Sequence, residues 1–251
     1  MAKPSMKETV YHLNKEENRA EKSGYVRQMF NEIAGSYDFM NHLMSGGVDI
    51  YWRKFSIKKA QMPQNAKVLD VCTGTCDLAL TAAKLLGPEA EVFGVDLTEG
   101  MLRVGQKKMA RSGYQPTMGL SQGRAESLPF KDNYFDVAMA SCGIRNTTDI
   151  PKSFSEMARV VKPGGLVFNL DLGHPKNKIF DQLYRFYFFK VVPIVGRVLA
   201  HNEAYAYLPT SLLTFPDQEK IKRILEDVGL KRVHYYNLFG GAMALHIGYK
   251  E

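Results

Sequence analysis

The string Asp70-Val71-Cys72-Thr73-Gly74-Thr75-Cys76-Asp77 follows the short apolar run Lys67-Val68-Leu69 and leads into a stretch with helical spacing. A second apolar run ends at Gly94-Val95-Asp96, its acid 26 residues after Asp70. A strand, a tight turn, a helix and a second strand closing on an acid form the nucleoside-binding half of a doubly wound sheet. The turn lets backbone N–H groups approach a ligand. Asp96 is placed to accept hydrogen bonds from ribose hydroxyls. A chain built this way reads as a cofactor-binding enzyme.

The rest of the chain extends that unit. Residues 66–72 and 91–96 read as the first two strands, with a helix over 77–86 ended by Gly87-Pro88. A helix over 99–112, a weak strand over 117–122 and a clear apolar strand over 135–141 follow. Residues 151–161 read as a helix with Pro151 in its first turn and Lys162-Pro163-Gly164-Gly165 as its stop. Residues 166–172 form a fifth strand. This alternation predicts a mostly parallel sheet with helices on both faces. Residues 216–228 are amphipathic, and strands over 230–238 and 242–249 close the chain as an antiparallel hairpin. Residues 1–22 are charged and expected to be loose at the start, a helix is expected over 25–33, and 36–52 are aromatic and Gly-rich without an assigned element.

Composition narrows the class. The 251 residues suit one large domain, taken as a single unit over 1–251. No run of about 18 apolar residues occurs and the N-terminus has no signal-peptide core, so the expectation is a cytoplasmic protein. Three cysteines, two of them in the turn, argue against a disulfide framework. Cys72 and Cys76 lack a second ligand pair at zinc spacing, so no metal is expected. The net charge of +7 is spread along the chain. It fits a solvated surface or an anionic membrane face, and no nucleic-acid motif accompanies it.

Several strings occur in fixed order: Asp70…Gly74-Thr75, Asp96, Gly123-Arg124-Ala125-Glu126, Phe135-Asp136 and Lys162-Pro163-Gly164-Gly165. The succession resembles the class I S-adenosylmethionine-dependent methyltransferases. A nicotinamide enzyme would carry G-x-G-x-x-G in the first turn, which this chain lacks. Tyr37-Asp38-x-Met40-Asn41-x-x-Met44-Ser45-x-Gly47, Trp52-Arg53-Lys54, Gly143-Ile144-Arg145-Asn146, Tyr205-x-Tyr207-Leu208 and the ending Ala244-Leu245-His246-x-Gly248-x-Lys250 narrow it further. Over roughly residues 24–250 the chain resembles the UbiE/MenG family, the C-methyltransferases of ubiquinone and menaquinone biosynthesis. It departs from the family where Cys76 replaces a common Gly, where Arg124 replaces Asp or Asn, and where Asp171-Leu172-Gly173-His174-Pro175 replaces an acidic Glu-Phe string. A thiol at position 76 permits close backbone approach if its φ is negative.

The resemblance implies an α/β, Rossmann-like fold with a seven-stranded mostly parallel sheet. An N-terminal helical cap is expected over about 24–60 and a substrate-capping insertion over about 174–215. The implied cofactor is S-adenosylmethionine. Gly74 and Thr75 are expected to line its methionine end, Asp96 to hold the ribose, Arg124 and Ala125 to bracket adenine, and Ser141 to face the sulfonium. Tyr37 either covers the cofactor or packs in the core. Methylating a quinol ring carbon requires positioning, water exclusion and stabilisation of a phenolate. Arg145, following the fourth strand, is the candidate cation, since an Arg stabilises an oxyanion without losing its proton. Asn146 is the candidate for orienting a water. His174, His201 and His246 read as core or surface residues, and Tyr205 and Tyr207 either pack or line a channel. The aromatic stretch 178–200 is either core or a lid for a polyprenyl tail, with its Lys and Arg toward lipid head groups.

The implied reaction turns demethylmenaquinol into menaquinol. The alternative substrate is a methoxy-polyprenyl-benzoquinol of the ubiquinone branch. The partners expected are therefore a polyprenyl quinol and membrane lipid, with no nucleic acid and with a homo-oligomer left open. A non-catalytic scaffold of the same fold is motivated by Cys76 and Arg124. An RNA methyltransferase is motivated by the charge, but would need an Asn-Pro-Pro-Tyr-type string where Gly143-Ile144-Arg145-Asn146 stands.

Overall fold

Seven strands form one sheet in the computed structural model, which describes residues 6–114, 117–199 and 207–251. In chain order they are β1 (Lys67–Val71), β2 (Glu91–Asp96), β3 (Met118–Gln122), β4 (Phe135–Ser141), β5 (Val161–Leu172), β6 (Lys231–Leu238) and β7 (Met243–Tyr249). Their spatial order is β3-β2-β1-β4-β5-β7-β6. The first five are parallel to one another; β7 runs antiparallel between β5 and β6. From β1 the chain moves outward through β2 to β3, then returns to lay β4 on the other side of β1. That reversal opens a crevice beyond the carboxyl ends of β1 and β4, where doubly wound sheets hold ligands.

Period-two alternation sends successive strand residues to opposite faces. Val68, Val137, Met139 and Phe168 pack on one face against Leu78, Ala79 and Ala82 of α5 (Asp77–Leu86). Leu69, Ala138 and Val167 pack on the other against Phe154 and Met157 of α7 (Ile150–Val160) and Ile221 and Leu225 of α11 (Gln218–Asp227). Side-chain caps start both of these last helices: Asp149 accepts from the Lys152 N–H, and Asp217 from the Lys220 N–H. α6 (Glu99–Ser112) links β2 to β3.

The N-terminal segment is more ordered than its composition suggests. It forms α1 (Met6–Leu13), α2 (Arg19–Ile33), α3 (Tyr37–Ser45) and α4 (Val48–Ala60). The expected looseness before residue 22 gives way to packing, since Val10 and Leu13 are buried, and Val10 joins Val26, Met29, Met40 and Tyr207 in one cluster. The pair Gly46-Gly47, both left-handed, separates α3 from α4 in the stretch the sequence left unassigned. Strand β5 begins at Val161, ahead of the expected Leu166, because Val161 pairs with Phe135 across a register shift and Gly164 donates to Lys250 O. Residues 178–199 form α8 (Lys178–Phe186), a π-helical turn (Tyr187–Val191) and α9 (Val192–Leu199). α10 (Tyr207–Thr214) precedes α11. Tyr205 and His201 lie outside the described residues. No helix among the described residues is long and apolar enough to cross a membrane.

Candidate active site

Two chambers meet at the carboxyl end of the sheet. The smaller, a crevice of about 710 Å³, runs from Gly74 past Asp96 to Arg124 and Ala125. The larger, about 1370 Å³, is walled by Trp52, Tyr184, Phe188 and Phe239 and by Arg145. Tyr37, Cys72, Gly74, Ser141 and Cys142 line both. The junction is built by the chain's exits from β1 and β4. Cys72 and Cys142 both turn left-handed there, at φ 57° and 55°. Gly143 is required by proximity, since a Cβ on it would collide with Cys72 Cβ.

Asp96 organises the smaller chamber. Its Oδ2 accepts from the Gly74 N–H at 2.9 Å and its Oδ1 from the Thr98 N–H at 2.8 Å. The β2 acid thus holds the β1 turn closed, and each oxygen has a further lone pair for a hydroxyl. Burial raises its pKa, against the pull of those N–H groups. Gly74 sits at φ 55° with open space around it, so conformation alone asks for glycine there. Arg124 donates to Ser23 Oγ at 2.8 Å and to Thr148 Oγ1 at 3.3 Å, and its neighbour Ala125 is buried.

Thr75 faces the larger chamber instead of the crevice. Its hydroxyl donates to Asp38 Oδ1 and accepts from Lys108 Nζ, which ties α3 to the turn and to α6. Cys76 stands at φ 68°, the sign opposite to the one under which a thiol is unstrained. The fold makes room through Gly105 of α6, where any Cβ would overlap Cys76 Sγ. The turn therefore keeps the shape that a second glycine would give it.

Arg145 and Asn146, adjacent in sequence, serve different chambers: Arg145 lines the larger and Asn146 the smaller. They lie in a 3-10 turn (Ile144–Asn146), where each residue advances about a third of a turn. Arg145 donates through Nη1 to Asp171 Oδ1 at 2.5 Å, and both side chains are almost fully buried. Burial opposes the Arg145 charge, but Asp171 together with Cys142 and Tyr37 outweighs it and holds the pKa above the ordinary value. Its Nε is buried without a partner. Tyr37 lies in the same field; desolvation pushes its phenol up to about 12.

Further residues contribute to the site through their packing. Asp70, on the floor of the larger chamber, accepts from Thr73 Oγ1 and the Ala79 N–H through Oδ2, while its buried Oδ1 has no partner. Desolvation raises its pKa to about 7. Lys22 is buried under the N-terminal helices and donates to Thr147 O at 2.6 Å and Asn14 Oδ1 at 2.8 Å. Desolvation lowers it to about 8. These bonds fasten α2 over the smaller chamber. His42, Asp49 and Asp77 bring candidate ligand atoms within 4.8 Å of one another. Arg53 bridges both acids and Lys108 pairs with Asp77, so cations of the chain already balance the cluster. His174 and His246 serve the scaffold, their Nε2 atoms bonding to Phe215 O and Gln218 O. Burial lowers His246 to about 4. Tyr207 packs against Tyr25 with ring centroids 5.8 Å apart.

Comparison with known proteins agrees with this architecture. The profile of the ubiE/COQ5 methyltransferase family matches residues 16–250. The chain is 38% identical to the ubiquinone/menaquinone biosynthesis C-methyltransferase UbiE of Pasteurella multocida, over 98% of this chain and 92% of that one. It is 41% identical to the demethylmenaquinone methyltransferase of Desulfitobacterium hafniense, over 92% and 91%. Among solved structures, a SAM-dependent methyltransferase from Aquifex aeolicus superposes with a TM-score of 0.59 at 18% identity, covering 78% of this chain and 89% of that one. Phosphoethanolamine N-methyltransferase 2 of Haemonchus contortus, in complex with S-adenosyl-L-methionine, superposes with a TM-score of 0.58 at 17% identity, covering 79% and 52%.

Proposed function

We propose that this chain, which belongs to the ubiE/COQ5 methyltransferase family and is an S-adenosylmethionine-dependent methyltransferase, methylates a ring carbon of a demethylmenaquinol to give menaquinol. The observation that carries the reading is the junction of the two chambers at Tyr37, Cys72, Gly74, Ser141 and Cys142. A nucleoside side and an aromatic-walled side share one short wall, as methyl transfer between two bound molecules requires. The buried, unpartnered Asp70 Oδ1 fits the cofactor, since a methionine ammonium would supply the missing donor.

When bound, S-adenosylmethionine supplies an electrophilic methyl group on sulfur. The Asp96 carboxylate would then hold the nucleoside side, with Arg124 and Ala125 at its far end, while Gly74 would line the methionine end. Trp52, Tyr184, Phe188 and Phe239 exclude water from the ring. Arg145, fixed by Asp171, stabilises the phenolate that makes the neighbouring carbon nucleophilic. Asn146 lines the smaller chamber with its Nδ2 donating to Cys142 O at the shared wall, so the water it would orient to carry the proton lies at that junction. The ring carbon would take that methyl, the carbon–sulfur electron pair leaving with sulfur, and would then lose its proton to restore aromaticity.

The name of the 41% identical relative supports the naphthoquinol. The benzoquinol of the ubiquinone branch is the second reading, favoured by the UbiE names of relatives at 38% identity. Incubating the purified protein with S-adenosylmethionine and an equimolar pair of reduced demethylmenaquinone and reduced methoxy-polyprenyl-benzoquinone separates them. Preferential methylation of the naphthoquinol is expected; exclusive methylation of the benzoquinol overturns the first reading.

A further inference from the structure

We infer that the outer face of the α8–α9 helix is a docking surface for a bilayer carrying anionic lipid, a conclusion that deepens the quinol reading by naming where its substrate is met. The inner face of this helix is already used: Tyr184, Phe188 and Val192 wall the larger chamber. The outer face is apolar as well. Ile179, Leu183, Phe186, Ile194 and Val198 are each 60–73% exposed. The first three repeat at helical spacing along one stripe. The π turn adds one residue, so Ile194 lies in phase with Phe186 as a residue seven positions on would in a regular helix. A helix apolar on both faces needs cover on both.

Charge on the same helix selects the cover. Within residues 178–199, Lys178, Arg185, Lys190 and Arg197 stand against one acid, Asp181, which Arg185 pairs at 2.7 Å, leaving a net excess of positive charge, and the whole chain carries +7. Apolar residues flanked by Lys and Arg suit a helix lying in the plane of an anionic interface, its apolar side among the acyl chains and its cations at the phosphates. Phe239 continues the surface: it is 64% exposed, touches Phe180 with centroids 5.7 Å apart, and lines the larger chamber. The docking face therefore runs into the mouth of the chamber. A prenylated ring can pass from the bilayer to the site with its tail still in lipid.

The test is flotation of the full chain with vesicles of phosphatidylcholine alone or mixed with phosphatidylglycerol. The wild type is expected to float, several-fold more with the mixed vesicles. L183E/I194E is expected to stay at the bottom and K178E/K190E to lose the anionic preference. L183E/I194E keeps wild-type turnover of a short-tailed soluble quinol, which shows that it is folded, and loses at least tenfold on a long-tailed quinol in vesicles. A wild type indifferent to both vesicles, or an L183E/I194E variant that floats like it, overturns the assignment. So does a wild-type dimer in light scattering that L183E/I194E splits, since a second copy would then be the cover. Flotation needs no substrate, so a wild type that floats yet methylates no quinol sinks the substrate reading and supports this one.

Discussion

Replacing Gly105 by Ala probes the most unusual feature of the cofactor turn, the left-handed Cys76. The new Cβ would overlap Cys76 Sγ and lie 3.5 Å from the Thr75 carbonyl carbon. Overpacking of this kind costs about 1–3 kcal/mol. Against it, Gly to Ala in a helix interior gains about 1 kcal/mol. The net effect of G105A is a loss of about 0–2 kcal/mol, or up to about 8 °C in Tm for a chain of this size. In a Cys76→Gly background the sulfur is gone and only the helix gain remains, so the same substitution should raise Tm by about 2–4 °C. C76G alone should be near neutral, because relief of about 1–2 kcal/mol of left-handed strain offsets the lost burial of the thiol. Thermal unfolding of the four proteins by circular dichroism gives the coupling directly. Calorimetric titration with S-adenosylmethionine should show weaker binding in G105A and recovery in the double variant. If G105A shifts Tm equally in both backgrounds, Gly105 is not what accommodates Cys76.

Arg145→Ala should leave cofactor affinity near normal and abolish turnover; equal loss of both refutes its assignment to the substrate side. It should also cost about 3–5 kcal/mol, since Asp171 is left buried and unpaired. R145A/D171A should recover most of that stability in denaturant melts without recovering turnover. Asp70 gives a pH signature. Its pKa of about 7, raised from 3.8, means the folded chain keeps a proton that the unfolded chain loses. Its contribution is full below about pH 4 and falls as pH rises toward 7. Asp70→Asn should remove that slope, so the stability difference from wild type should drift in the variant's favour between pH 4 and 7; a constant difference would contradict the shift. Lys22→Met should loosen α2 by removing its bonds to Thr147 O and Asn14, read as faster amide hydrogen exchange in α1 and α2 while the sheet stays protected.

The legible parts of this molecule are those whose signal is local. The β1 turn and Asp96 announce themselves by spacing, and the alternation of strands and helices by periodicity, so the sheet and the smaller chamber follow from short windows of sequence. What escaped is set by distance along the chain. Asp171 meets Arg145 only because β4 and β5 are neighbours. Gly105 answers Cys76 from another helix. Helix α1 carries Met6, Val10 and Leu13 at helical spacing, a signal passed over among the charges around it, and their cover comes from distant helices. The opposite facing of Arg145 and Asn146 follows from a three-residue 3-10 turn too short to leave a periodicity. Thr75 shows the converse: it sits where the turn motif puts it, but its hydroxyl is drawn to Asp38 of α3, 37 residues upstream.

On the proposed function, a methyl group passes to a ring carbon across the wall that the two chambers share. Purified protein incubated with S-adenosylmethionine bearing a trideuterated methyl and with reduced demethylmenaquinone tests it directly by mass spectrometry and carbon NMR. The prediction is a product heavier by one trideuteromethyl in place of a ring hydrogen, bonded to carbon. Label found on oxygen, or a quinone recovered unlabelled while the protein binds both molecules, would contradict it.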